Sequence, residues 1–167
     1  MVITANDVSK AAKALHNQIL RTPMVAAPML SKNLGCDIFL KLECLQYTSS
    51  FKARGAYYAI LQLNDNHRKR GVITMSAGNH AQAVAYHAER MGIPATIVMP
   101  AQTPFSKIAR TRAFGANVVL EGRNLNECED TVNSLIKKHG YKLIHPYDDE
   151  KVISGQGTAG IEILEDA

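Results

Sequence analysis

The sequence predicts an α/β protein, a parallel sheet with flanking helices. Three observations carry that expectation. Short apolar runs at 72–75, 95–99, 117–120 and 142–145 alternate with stretches of helical spacing at 79–91, 104–114 and 125–139, the rhythm of βαβ units with right-handed crossovers. No linker, low-complexity tract or sequence repeat interrupts it. A chain of 167 residues, 46% hydrophobic and 20% charged, suits one ordinary globular domain.

Thr4 or Asp7 can cap a first helix whose apolar positions Val8, Ala11, Ala12, Leu15 and Ile19 share one face, and Arg21-Thr22-Pro23 closes it. A short helix over 29–34 ends at Gly35, and 36–42 reads as a strand alternating around Ile38, Leu40 and Leu42. Ser49 or Ser50 is the expected N-cap of the next helix, which puts Lys52 in its first turn. The apolar run Ala56, Tyr57, Ala59, Ile60, Leu61 and Leu63 follows along that helix. Gly115 stops the 104–114 helix, and 156–167 reads as a last helix with Ile161, Ile163 and Leu164 apolar. The order of the strands is not readable from the pattern.

Composition excludes several function classes. The formal charge is only +4, and the one basic cluster, His67-Arg68-Lys69-Arg70 before Gly71, reads as a solvated helix end. No aromatic-interleaved basic stripe accompanies it, so nucleic acid is not an expected partner. Neither a signal-peptide pattern nor an apolar run near the roughly 18 residues of a spanning helix is present, so no membrane is expected. Cys36, Cys44 and Cys128 lack C-x-x-C spacing, which indicates neither a disulfide frame nor zinc and fits a reduced cytoplasm. His16, His67, His87, His139 and His145 have no partner at metal-ligand spacing, so no metal is expected.

Two stretches carry chemistry. In Thr48-Ser49-Ser50-Phe51-Lys52-Ala53-Arg54-Gly55-Ala56 the lysine stands at the positive end of a helix dipole and beside an aromatic ring. Both effects favour the neutral amine, the form that attacks carbonyls. The second stretch, Ser76-Ala77-Gly78-Asn79-His80, links the end of a strand to the start of a helix, where open α/β sheets bind ligands and free N–H groups receive anions.

Together, Ser-Phe-Lys-x-Arg-Gly-Ala and Ser-x-Gly-Asn-His resemble the fold-type II pyridoxal phosphate enzymes, and among them the threonine/serine dehydratases. The resemblance runs from Arg21-Thr22-Pro23 through Leu40-Lys41-Leu42-Glu43 to His145-Pro146-Tyr147-Asp148-Asp149 and Ile153-Ser154-Gly155-Gln156-Gly157-Thr158. It covers nearly the whole chain but about half of the family's catalytic unit. It implies the tryptophan synthase beta-like fold, with a complete small domain over 51–141 and truncated large-domain segments over 1–50 and 142–167. It further implies dehydration and deamination of L-threonine or L-serine, pyridoxal 5'-phosphate as cofactor, a small amino-acid substrate and a homo-oligomer.

By the same resemblance, Lys52 carries the cofactor's aldehyde and serves as base. Asn79 hydrogen-bonds the ring hydroxyl and Phe51 packs near the ring. Ser76, Ala77, Gly78, Asn79 and His80 form the turn that receives the substrate carboxylate, His80 through its backbone N–H and not as a base. The family's glycine-rich phosphate loop and the residue facing the ring nitrogen lie beyond Ala167, so the chain alone is expected to hold the cofactor poorly and to be inactive. Its first and last helices are expected to expose apolar surface.

Three positions depart from the family pattern: Cys44, Tyr47 and Ser49. Ser49 stands where a glycine is common, and a glycine there would supply a backbone angle that a side chain resists. Gly155-Gln156-Gly157-Thr158-Ala159-Gly160 also fits G-x-G-x-x-G, but no clear strand leads straight into it and the sequence stops before the acidic residue expected about 20 residues on, so it reads as a helix start and not as a dinucleotide site. A racemase of the same fold is the nearest alternative. It needs a second acid/base, and Ala77 stands where the serine racemases that this chain resembles have serine. β-Replacement, as in cysteine synthases, fits Gly55-Ala56 and His145-Pro146 less well. From a different class, the chain could be an inactive folded module that self-associates.

Overall fold

The computed structural model describes residues 2–167. Helix α1, Ala5–Leu15, begins at a capping box in which the Thr4 hydroxyl accepts the Asp7 N–H and the Asp7 carboxylate accepts the Thr4 N–H. It stops earlier than its apolar pattern suggests because Asn17 adopts a left-handed φ of 59°, so Ile19 leaves the helix. Strand β1, Met24–Ala26, was not legible in the sequence. It pairs antiparallel with β2, Phe39–Lys41, across α2, Pro28–Leu34, and Gly35 closes α2 at φ 70°. Only three residues of the expected 36–42 strand find a partner. Two 3-10 turns, Glu43–Leu45 and Tyr47–Ser49, then lead to α3, Lys52–Leu61.

From α4, Asp65–Arg70, the predicted alternation follows: β3 Val72–Met75, α5 Asn79–Arg90, β4 Ala95–Met99, α6 Phe105–Arg112, β5 Asn117–Leu120, α7 Leu125–His139 and β6 Lys142–Leu143. The four strands β3 to β6 are parallel, in the order β5-β4-β3-β6. Their side chains alternate between two layers. Val72, Ile97 and Met99 face a core shared with Ala56 and Ile60 of α3, Val84 and Ala88 of α5 and Ile108 of α6. Ile73 and Val98 face Cys128 and Val132 of α7. β6 is half as long as expected: after the Ile144 N–H donates to the Ile73 carbonyl, the chain turns away through Pro146.

The last helix, α8, Glu150–Asp166, corrects the sequence reading. It starts six residues before Gln156, where Asp149 Oδ1 accepts the N–H groups of Lys151 and Val152. Gly155, Gly157 and Gly160 are therefore interior helix residues, neither a helix start nor a phosphate turn. Gly155 lies against Gly55 where α8 crosses α3, so close that a Cβ on Gly155 would meet Gly55 Cα at 2.6 Å.

The basic cluster has a structural use. Arg68 donates to the carbonyls of Leu61 and Leu63 at the end of α3. Exposed apolar side chains on the last helix include Leu164, at 81% exposure, and Ile163. α1 differs from expectation, since Ala11 and Leu15 are buried and the helix packs on α8. Exposed apolar groups lie instead on α2 and β2, at Met29, Leu30, Leu34 and Phe39. Among the described residues no helix is long and apolar enough to cross a membrane, no acid, histidine and cysteine group could hold a metal ion, and the three cysteines are unpaired.

Candidate active site

Lys52 is the first residue of α3. The cap position belongs to Phe51, whose side chain makes no capping bond; Ser50, the expected cap, acts one position on, its hydroxyl accepting the Lys52 N–H at 3.2 Å. The Lys52 side chain runs to the carboxyl end of the sheet, where Nζ donates to the Pro146 carbonyl at 2.7 Å. It also lies 5.3 Å from the centroid of the Phe51 ring. None of the ion pairs among the described residues involves it. Partial burial pushes its pKa below the ordinary lysine value, the direction expected from its sequence context.

The turn Ser76-Ala77-Gly78 leaves the carboxyl end of β3, the strand next to β6, so it opens onto the same end of the sheet as Pro146. The Ser76 N–H extends the β3–β4 ladder to the Val98 carbonyl at 3.1 Å, while its hydroxyl accepts the Gly78 N–H at 3.3 Å. Asn79, exposed, is the first residue of α5, and no side chain caps that helix, so its first N–H groups are free for an anion. Gly78 faces open space: a Cβ there would touch nothing within 4 Å. The residues present thus suit an aldehyde-bearing ring with an anionic substrate group. The amine is released from a neutral carbonyl partner only, and uncapped donors open onto the same end of the sheet.

His80 is buried, and its ring Nε2–H donates to the Ile144 carbonyl at 3.0 Å while Nδ1 has no partner. Burial, with a smaller contribution from the Lys52 charge, pushes its pKa down to about 4 against the opposing pull of the Ile144 hydrogen bond. His87, on the buried side of α5 between Tyr57 and Tyr86, is pushed to about 3 by burial and then by Arg90. The Ala53 carbonyl approaches the His87 ring without hydrogen-bond geometry, so burial dominates there. Both imidazoles are neutral in the folded protein at pH 7 and would be protonated in the unfolded chain below about pH 6.5. The unfolded state then binds more protons, so stability is full above pH 6.5 and falls as pH drops through the folded values. The two histidines contribute roughly 3–5 kcal/mol each to that fall. Urea midpoints measured from pH 8 to pH 4 are expected to decrease, and to decrease less in His87→Phe; a flat profile would contradict the burial argument.

Sequence reasoning missed a buried charge network in the same turn of α3 as Lys52. Arg54, fully buried, reaches Glu43 with Nε and Nη2 at 2.8 and 2.7 Å and Glu162 with Nη1 and Nη2 at 2.7 and 2.8 Å. Lys41 closes on Glu162 at 2.8 Å, and Thr22 donates to Glu43 at 2.6 Å. Burial works against the Arg54 charge, yet the two glutamates raise its pKa; burial likewise works against the Glu162 carboxylate, and Arg54 and Lys41 nevertheless hold it below the usual range. The signal was present in Leu40-Lys41-Leu42-Glu43 and Lys52-x-Arg54, but nothing local says that these charges share one buried point. Pro146 was visible in the sequence only as part of His145-Pro146.

The strain expected at Ser49 is present: Thr48 and Ser49 have φ of 59° and 55°, left-handed values that cost a non-glycine residue about 1–2 kcal/mol. Ser49→Gly is therefore expected to stabilise the chain by about 1 kcal/mol once the extra unfolded-state freedom of glycine is subtracted. Chemical denaturation measures this, and a loss of stability would show that the Ser49 side chain contributes more than its backbone angle costs.

A family model described as pyridoxal-phosphate dependent enzyme matches residues 15–167. The chain is 48% identical over 165 residues to an L-threonine ammonia-lyase of Thermotoga maritima, covering 99% of this chain and 41% of that protein. It is 44% identical over 166 residues to the catabolic L-threonine dehydratase TdcB of Staphylococcus aureus, covering 99% of this chain and 48% of that one. Among solved structures, maize serine racemase superposes with a TM-score of 0.95 at 34% identity, covering 100% of this chain and 51% of that one. The chain spans about half the length of the curated relatives it matches.

Proposed function

Because the chain belongs to the pyridoxal-phosphate dependent enzyme family over residues 15–167, we propose that it carries the amine-bearing part of a site that converts L-threonine or L-serine to a 2-oxo acid and ammonia. The supporting observation is the Lys52 amine, partly buried, held by a carbonyl and not by a carboxylate, at the same end of the sheet as an uncapped helix start. When bound, the cofactor supplies an electron sink conjugated to the substrate nitrogen.

Lys52 Nζ would hold the cofactor through its aldehyde carbon, Asn79 through its ring hydroxyl, and Phe51 would shield the ring from water. The free N–H groups of α5 and the Ser76 hydroxyl proton bind the substrate carboxylate and orient its Cα–H. Once the substrate amine has displaced it from that carbon, Lys52 Nζ, more readily neutral than an ordinary lysine, would be free to take the α-proton. The β-carbon–oxygen bond breaks, the hydroxyl leaves with a proton as water, and the released enamine takes up water to give the 2-oxo acid and ammonia. Ala77 offers no proton for a second face, which favours elimination over racemisation.

The proposal includes a homo-oligomer working in the cytoplasm. It includes a small domain from about residue 51, its boundary moved past Leu143 because β6 shares the sheet of β3, with 1–50 and the chain after β6 belonging to a larger domain. It also includes a phosphate cradle in the part of the relatives' length that this chain does not span. The test is to incubate the 167-residue chain with pyridoxal phosphate, reduce with borohydride and map the attached lysine. Label is expected on Lys52 at low occupancy and absent in Lys52→Ala. Any ammonia formed from threonine is expected to fall by about a thousandfold in that variant. Label spread evenly over surface lysines, or ammonia release that survives Lys52→Ala, would overturn the reading; D-serine formed from L-serine would favour the racemase.

A further inference from the structure

The parallel ladder between β3 and β6 ends in an unusual way. Its last backbone bond runs from the Ile144 N–H to the Ile73 carbonyl at 2.9 Å, and the next acceptor, the Ile144 carbonyl, receives a side chain, the His80 ring, at 3.0 Å. Two residues on, the Pro146 carbonyl takes the Lys52 ammonium at 2.7 Å. Beyond it, His145 Nδ1 accepts the N–H groups of Tyr147 and Asp148, which folds the segment tightly back toward α8. One imidazole from the Ser-x-Gly-Asn-His turn therefore anchors the segment that holds the amine of the other motif.

We infer that His80 is a positioning residue for Lys52: by donating its Nε2–H to the Ile144 carbonyl it fixes the segment at 144–148, so that the Pro146 carbonyl receives the Lys52 ammonium and sets where the amine rests before it reacts. The inference rests on the proposed role of Lys52 and goes beyond it, because it gives the His80 side chain a use that the backbone N–H of the same residue does not require. A neutral imidazole suits the task. It has one N–H, directed at the carbonyl, and brings no second charge beside the ammonium.

The experiment needs no cofactor. In the 167-residue chain, the rate of reductive methylation of Lys52 relative to the other lysines is followed at pH 7.5 by peptide mapping. Freeing the Pro146 segment removes a hydrogen bond that favours the charged amine and opens access to it, both of which speed methylation. In His80→Phe the relative rate at Lys52 is expected to rise at least threefold. In His80→Gln, whose amide can still donate to Ile144, it is expected to stay near the wild-type value. His87→Phe removes an imidazole that is equally buried but makes no hydrogen bond to 144–148, and should leave the rate unchanged even where it changes stability. If His80→Phe does not fold, His80→Asn, too short to reach Ile144, is compared with His80→Gln in its place. A Lys52 rate that is equal in all variants, or that tracks stability alone, would overturn the inference. Failure to attach pyridoxal phosphate would instead count against the proposed function and leave this result standing.

Discussion

Replacing Arg54 by alanine is expected to destabilise the chain by about 3–5 kcal/mol, the cost of leaving buried charges without a partner. The guanidinium is fully buried and forks onto both Glu43 and Glu162, so its removal strands two carboxylates that face each other. Lys41 can still hold Glu162, but Glu43 keeps only the Thr22 hydroxyl. Arg54→Lys should recover a minor part, since an ammonium cannot make two bidentate pairs. The triple variant Arg54→Met, Glu43→Gln, Glu162→Gln should recover more, because no charge is then left unpaired. Urea unfolding of the set measures the coupling. A loss below about 1 kcal/mol for Arg54→Ala would mean that water enters the network and that its burial contributes little.

Gly55→Ala and Gly155→Ala are each expected to cost at least about 2 kcal/mol, although alanine is the better helix former. A Cβ at position 55 would meet the Val152 carbonyl oxygen at 2.6 Å, and one at position 155 would meet Gly55 Cα at 2.6 Å and the Arg54 carbonyl oxygen at 2.8 Å. The obstacle is backbone, which cannot rotate aside, so α3 and α8 must separate. Gly160→Ala, in the same helix but with nothing within 4 Å, should do the opposite and stabilise by about 0.5–1 kcal/mol. Denaturation midpoints of the three variants decide the matter. A neutral Gly155→Ala would show that the crossing can loosen freely, and Lys52, one turn before Gly55, should then keep its methylation rate.

The sequence makes the strands and helices from residue 72 to 139 legible, because glycine, proline or a polar cap stands close to the ends of each apolar run; the predicted 125–139 helix is found with the same bounds. What escaped were features fixed by distant partners. β1 has three residues and is defined only by its pairing with β2. α8 begins at Asp149, a good cap that the glycines after it obscured, since glycine in a helix interior normally argues against one. Gly155 is explained by Gly55 across the crossing and Gly157 by Val8 of α1, while Gly160 faces open space. Lys52 and the Asn79 turn were readable as motifs, and their shared end of the sheet follows from the parallel topology. The anchoring of Pro146 by His80 was not readable, because a lone histidine at a helix start says nothing of which carbonyl it will find.

The Arg54 fork bears on how the chain matures. Glu162 lies 108 residues after Arg54, so one half of the clamp is synthesised long after the other. Closing so large a loop is slow compared with local helix formation. Until the part of α8 that carries Glu162 has emerged and docked, Arg54 has Glu43 as its only carboxylate partner. The buried charge network is thus completed only when α8 packs across α3, late relative to the local formation of α3 itself.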